Sequence, residues 1–467
     1  MTKLHQLTAT EAVAALRRKD VSPKDLVDAS VSRIEAVDGK VNALPIRDFE
    51  RALERACDPE LAQMAPLHGL PIAVKDYNDV GGVRTTYGSP IYADHVPEHS
   101  DATVSMLESR GALPIAKSNV PEWAGGHTFN PVNGTTRNPW NLALSAGGSS
   151  GGSAAALASG QVSLATGNDL GGSLRTPASF NGIVGLRPGP GVVPRGKRLQ
   201  AFDTLWVEGP MGRCVRDIAL MLDAGAGAHP HDPYAFDAAG ASFVDALEAA
   251  DQPARIGFSA NLGIVPMSRE VAGVCKAAAV RLAETGVEVT DEAPDFSGAL
   301  EGFQTLRAVL LATMMGPLLA EHRDRINPDI IKNVERGLHI TPEQIFEAER
   351  ARWQLFHRVS EFFETHDLLI CPAVSVTPFP VETPFVTEID GKPCETYIDW
   401  FAITFALTMT GCPVLSLPCG FTDAGMPVGL QIMGKPRGEA ALLRAALRFE
   451  ECLGVASGLP IDPRGDG

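Results

Sequence analysis

The chain has 467 residues, 45% of them apolar, with a mean hydropathy of +0.02 and a formal net charge of −16. Such a balance describes a soluble globular protein with ample core. The negative field repels phosphate backbones and anionic headgroups, and no Lys/Arg run reverses it, which argues against nucleic acid or a membrane surface as partner.

The start, "MTKLHQLTATEAVAAL", has no apolar h-region, so no signal peptide is expected. The eight cysteines are scattered without a C-x-x-C pair, which fits free thiols in a reducing cytoplasm. Helical signals fill the first sixty residues. Ser22-Pro23 reads as an N-cap with Pro at the first helical position, opening a helix that Gly39 closes. From about His68 to Leu222, short apolar runs alternate with helices. "LPIAVKD", "ALPIAK", "VSLATG" and "GIVGL" read as strands, while "DATVSMLESRG", ended by Gly111, and "GSAAALASG" read as helices. That alternation predicts α/β layers around a parallel or mixed sheet.

The middle, about 228–365, is richer in helix. Thr341-Pro342-Glu343-Gln344 forms a capping box that starts a long helix reaching about His366. Then "DLLICPAV", "PVLSLPCG" and "VGLQIMG" return to strand, and "GEAALLRAALRFEECLG" is a closing helix. Trp400 to Thr422 is uncharged and long enough to span a membrane, but its Gly and Pro residues split it into a core helix, a turn and a strand. One large domain with a helical insertion is expected.

Chemistry concentrates at three places. Lys75 ends an apolar strand, where it either snorkels to water or is buried. Burial disfavours the charged form, and lowering the pKa from ~10.4 to ~7 costs about 4.6 kcal/mol, within reach of a large core. The second place is "SAGGSSGGSAA", with Ser149 and Ser150 among glycines. Gly147 to Gly151 also satisfies G-x-S-x-G, but the elbow motif needs a strand before it and "NPWNLALSA" reads as a poor one. The third is "NDLGGSLRTPAS". Leu170, Gly171, Gly172 and Ser173 offer successive backbone N–H groups beside a hydroxyl, the makings of an oxyanion hole next to a nucleophile. No H-E-x-x-H run is present, and neither metal nor cofactor is expected.

The motifs "GLPIAVKD", "NVPEWAGG", "TRNPWN", "SAGGSSGGSAAA" and "GNDLGGSLRTPASFNGIVGLRP", in that order, resemble the amidase signature family. The resemblance is dense from about 67 to 225 and looser from about 365 to 455. It implies a single large α/β domain, with a central mixed β-sheet covered by helices on both faces. The segment 1–64 would be a helical addition packed on an amidase domain of 65–460. Within that domain the signature core spans about 67–225, the helical insertion 228–365 and the C-terminal core 366–455.

The resemblance also implies a Ser–cis-Ser–Lys machinery. Ser173 matches the acyl-forming nucleophile, Ser149 the bridging serine and Lys75 the base, with Leu170 to Ser173 as the oxyanion hole. Ser150, Asp169 and Arg175 would support them. Asn168 departs from the Thr that many members carry there, at a position not reactive in the family. Trp123, Gly125 and Gly126 are candidate pocket residues, with Phe129 and the run 308–320 as further lining.

The expected activity is hydrolysis of a small carboxylic amide to an acid and ammonia or an amine. Three alternatives remain. One is the A subunit of a glutamine-dependent aminoacyl-tRNA amidotransferase. Another is an esterase-type serine hydrolase using Ser149 and a late histidine such as His366. The third is a non-catalytic binding protein. The expected partner is the small amide alone, and a homodimer is compatible with the sequence.

Overall fold

The computed structural model of the chain describes residues 3–196, 199–237, 242–455 and 458–465. Eleven strands form one sheet: β1 (Ile46–Arg47), β2 (Leu70–Lys75), β3 (Ala112–Ser118), β4 (Leu164–Asp169), β5 (Val184–Arg187), β6 (Val207–Gly212), β7 (Arg255–Phe258), β8 (Glu288–Thr290), β9 (Leu368–Pro372), β10 (Val414–Phe421) and β11 (Pro427–Met433). Their spatial order is β1-β3-β2-β4-β6-β5-β10-β11-β9-β7-β8. Pairing is parallel across β3–β2–β4 and across β9–β7–β8, and antiparallel elsewhere. The sheet is therefore mixed. Strands β2, β3 and β4 are buried at every position, which is why β2 and most of β3 read as apolar runs without alternation.

Helices cover both faces. At the N-terminus lie α1 (Ala9–Arg18) and α2 (Pro23–Val41), each opened by a capping box. Gly39 does not close α2; the helix runs on to Val41 and Asn42 takes the left-handed terminal position, which asparagine tolerates. Two short helices run through the interior, α3 (Gly151–Ala158) and α4 (Arg175–Asn181), with every residue of both buried. The "GGSAAALA" composition of α3 has no long side chain to hold the sheet away. Beyond them come α5 (Ala299–His322), α6 (Pro328–Leu338), α7 (Pro342–Thr365) with its expected capping box, and α8 (Ala402–Thr408).

The segments expected to be helical also supply strands. β1 lies within 1–64 and pairs with β3, while β7 and β8 lie within 228–365 and extend the far end of the sheet. These strands are two to four residues long, too short to leave a periodic signal. Residues Asn141–Ser145 do form a strand, but in a two-stranded hairpin with Arg137–Asn138, outside the main sheet. The stretch Ala299–Arg325 is long and apolar enough to cross a membrane. Its Phe303, Leu310, Leu311 and Met315 are nevertheless buried against the protein, as in a core helix.

Candidate active site

Parallel strands β2 and β4 lie side by side, and their carboxyl ends hold the chemically competent residues. Lys75 is the last residue of β2 and is fully buried. Its backbone N–H donates to Thr166 Oγ1 on β4 at 2.9 Å. Its Nζ lies 2.7 Å from Ser149 Oγ, 2.8 Å from Ser150 Oγ and 2.6 Å from Asn168 Oδ1. Burial brings the Lys75 amine down to about 7, against the opposing pull of the Glu208 and Asp169 carboxylates. Ser149 and Ser150 stand on the loop that enters α3, and the Gly148–Ser149 peptide bond is cis.

Strand β4 runs directly into the loop Leu170–Ser173, which is held from below by charge. The Asp169 carboxylate accepts from Gly172 N–H at 2.8 Å and Leu174 N–H at 3.2 Å, and pairs with the buried guanidiniums of Arg175 and Arg187. Burial would raise this carboxyl, but the two arginines outweigh it and hold it at about 2. Arg175 then ties the loop to α8 and β11, donating to Thr404 O, Thr408 Oγ1 and Gln431 Oε1.

The four N–H groups of the loop are not equivalent. That of Gly172 is spent on Asp169, whereas those of Leu170, Gly171 and Ser173 have no acceptor among the described residues. Gly172 sits at φ +132°, and a Cβ there would lie 2.2 Å from Thr404 Oγ1, so glycine is required. Ser173 is half-buried at the cleft edge, and its hydroxyl has no hydrogen-bond partner among the described residues. The lysine–serine link is thus made and the serine–serine link is open, as resting sites often show.

In front of Ser173 lies a cleft with about 620 Å³ of empty space, counting its open mouth. Trp123 lines it, together with Tyr77, Trp206, Phe303 and Phe401, and so do Leu311, Met314 and Met315 from the run 308–320. Gly125 and Gly126 do not line it. They pack beside Tyr397, and the Gly126 carbonyl lies against the backbone of Gly148. Phe129 turns away onto the buried His127 ring, 4.7 Å between centroids.

His366 is at the C-terminal end of α7, hydrogen-bonded with Thr290 and stacked on Phe362. None of its partners belongs to the site, so it offers Ser149 no base. Two cleft residues escape a reading of the sequence although signals exist. Asn168 sits two residues beyond Thr166 on β4, hence on the same face, and touches Lys75. Arg307 is the single charged residue of α5 between Glu301 and Glu321.

The family model Amidase matches residues 25–443. An acylamidase of Rhodococcus erythropolis is 33% identical over 469 residues, covering 98% of each chain. The A subunit of the glutamyl-tRNA(Gln) amidotransferase of Moorella thermoacetica is 34% identical, over 96% of this chain and 97% of its own. Among solved structures, a bacterial aryl acylamidase of the amidase signature family superposes with a TM-score of 0.89 at 27% identity, covering 98% of this chain and 100% of the other. With a lysine buried under two serines, and a family match that spans the sheet and both interior helices, the chain belongs to the Amidase family and is a hydrolase of carbon–nitrogen amide bonds.

Proposed function

We propose that the protein hydrolyses a small carboxylic amide through an acyl-enzyme on Ser173, with Lys75 as base and Ser149 as relay. The observation that supports this most is the fully buried Lys75 Nζ, 2.7 Å from Ser149 Oγ. An amine held near 7 is about half uncharged at neutral pH, against almost none for a free lysine. Asn168 Oδ1 can only accept, so the neutral amine donates there and to Ser150. Its lone pair is left for the Ser149 hydroxyl.

As Ser173 Oγ bonds to the carbonyl carbon, its proton passes to Ser149 and the Ser149 proton to Lys75. Negative charge gathers on the carbonyl oxygen among the unspent N–H groups of Leu170, Gly171 and Ser173. The relay in reverse protonates the nitrogen, the C–N bond breaks, and ammonia or an amine departs. Water then adds to the acyl ester under the same base and frees the acid and Ser173. Gly172 positions the loop through Asp169, and Ser150, Asp169 and Arg175 hold the machinery in place.

The protein acts by itself in the cytoplasm in this reading, as a monomer or homodimer. The relative named as part of an amidotransferase supports the other reading, in which ammonia passes to a partner. Release of ammonia or amine from an amide panel by the purified chain alone tests the two. Turnover that requires an added protein overturns the stand-alone amidase.

A further inference from the structure

Apart from Asn168, Ser173 and one charge, the cleft is lined by apolar and aromatic side chains. Arg307, 7% exposed, is the charged residue that lines it. Its guanidinium donates to Asn333 Oδ1 at 2.6 Å and to the Tyr397 hydroxyl, both neutral acceptors. Among the described residues no carboxylate lies within 4 Å of it. The other buried arginines beside the site behave differently: Arg175 and Arg187 share the Asp169 carboxylate. A cation withdrawn from water without a counter-charge is costly, and the cost is relieved by a ligand that brings the anion. A second unspent donor stands in the same cleft, the buried indole N–H of Trp123, which has no partner among the described residues.

The position of Arg307 relative to the reacting centre follows from α5. Phe303 touches the oxyanion loop: a Cβ on Gly171 would lie 2.9 Å from Phe303 Cζ. Arg307 is four residues further along, on the same face and about 6 Å down the helix axis. An anion on Arg307 would therefore stand a few bonds from a carbonyl held at Gly171. We propose that the substrate is an amide bearing a carboxylate a few bonds from the scissile carbonyl, and that Arg307 selects it by a charge-assisted pair. This rests on the amidase reading of Ser173 given above. The carboxylate can reside in the acyl part, as in the monoamide of a dicarboxylic acid, or in the amine part, as in an N-acyl amino acid. Both present the same planar anion to a guanidinium.

The test compares charged and neutral isosteres on the full chain. Adipamate against adipamide, corrected twofold for the two amides, reports a carboxylate on the acyl side. N-hexanoylglycine against N-hexanoylglycinamide reports one on the amine side. We expect kcat/KM to favour the carboxylate by at least about tenfold in one arm, since a desolvated cation discriminates strongly against a neutral partner. In Arg307→Gln that ratio falls to near one, and in Arg307→Lys it is partly kept. Equal rates in both arms, or a preference that survives Arg307→Gln, would overturn the proposal. So would a variant that slows charged and neutral substrates alike, since that marks a role confined to holding Asn333 and Tyr397. Should Arg307→Gln fail to fold, inhibition of the wild-type enzyme by adipate against 1,6-hexanediol decides, and equal inhibition sinks the idea. Cleavage of neutral amides without preference defeats this proposal alone. No cleavage of any amide, with Ser173 inert to a fluorophosphonate, defeats the serine-amidase reading beneath it.

Discussion

Asn168 Oδ1 lies 2.6 Å from Lys75 Nζ, closer than either serine hydroxyl. The lysine is thus held by three neutral oxygens, and among the described residues no carboxylate lies within 4 Å of its amine. Converting that neighbour to an acid changes the balance. In Asn168→Asp an adjacent negative charge favours the ammonium and raises its pKa by about 1–3 units. The acid limb of kcat/KM should move up by the same amount, with activity at pH 7 falling about fivefold or more. A limb that stays in place would show that Asn168 does not tune the amine.

The wild-type profile follows from the same group. Because the uncharged amine is the active form and burial brings it to about 7, kcat/KM should rise with pH to a plateau above neutrality. Below the midpoint the loss approaches tenfold per pH unit. Lys75→Met removes both the activity and the limb. A profile flat from pH 5 to 9 would contradict a lysine base.

Ser173→Ala should lower turnover by at least about 10⁴-fold, the scale on which nucleophile deletions act. The melting temperature should hardly move, since this half-buried hydroxyl has no partner among the described residues to lose. Intact-mass measurement after fluorophosphonate treatment should show one adduct on the parent enzyme and none on the variant. An adduct persisting on Ser173→Ala would shift the nucleophile elsewhere.

Gly172→Ala places a methyl group 2.2 Å from Thr404 Oγ1 at a backbone angle of +132°. The loop must then move, and with it the neighbouring N–H donors. A fall in kcat of about 10²–10³-fold is expected, the scale of losing an oxyanion donor. Normal kcat in a folded variant would remove the loop from the reaction.

Asp169→Asn leaves Arg175 and Arg187 buried without their shared counter-charge. The expected loss is about 3–5 kcal/mol, read as a lower denaturation midpoint at unchanged slope. An unshifted midpoint would mean that the surrounding carbonyl and hydroxyl acceptors already satisfy both arginines.

How much of this is legible in the sequence depends on the range of the interactions involved. Lys75, Ser149 and Ser173 can be singled out because a charged residue ending an apolar strand, and hydroxyls set among glycines, are local anomalies. The eleven-stranded order cannot, because β5 pairs with β10 across more than 200 residues through backbone hydrogen bonds that leave no local pattern. Asn168 is easily set aside for its chemistry, which is inert, although its strand register puts it against the lysine. Phe129 and the glycines at 125 and 126 are expected in the pocket only by nearness to Trp123 in sequence. The backbone turns at Trp123, φ 49°, and again at Gly126, φ 87°, so the chain leaves the cleft there. Arg307 lies in a region without motifs, and only the fold brings α5 over the oxyanion loop.

That last arrangement has a consequence for how such a protein diversifies. The bond-breaking parts are drawn from β2, the α3 entry and the end of β4, while the wall facing them is one side of α5. Rewriting positions 307, 311 and 314 would change that wall while leaving Phe303, which packs on Gly171, in place. A single helix face can therefore serve as an exchangeable die, and a lineage could adopt new amides by altering it alone.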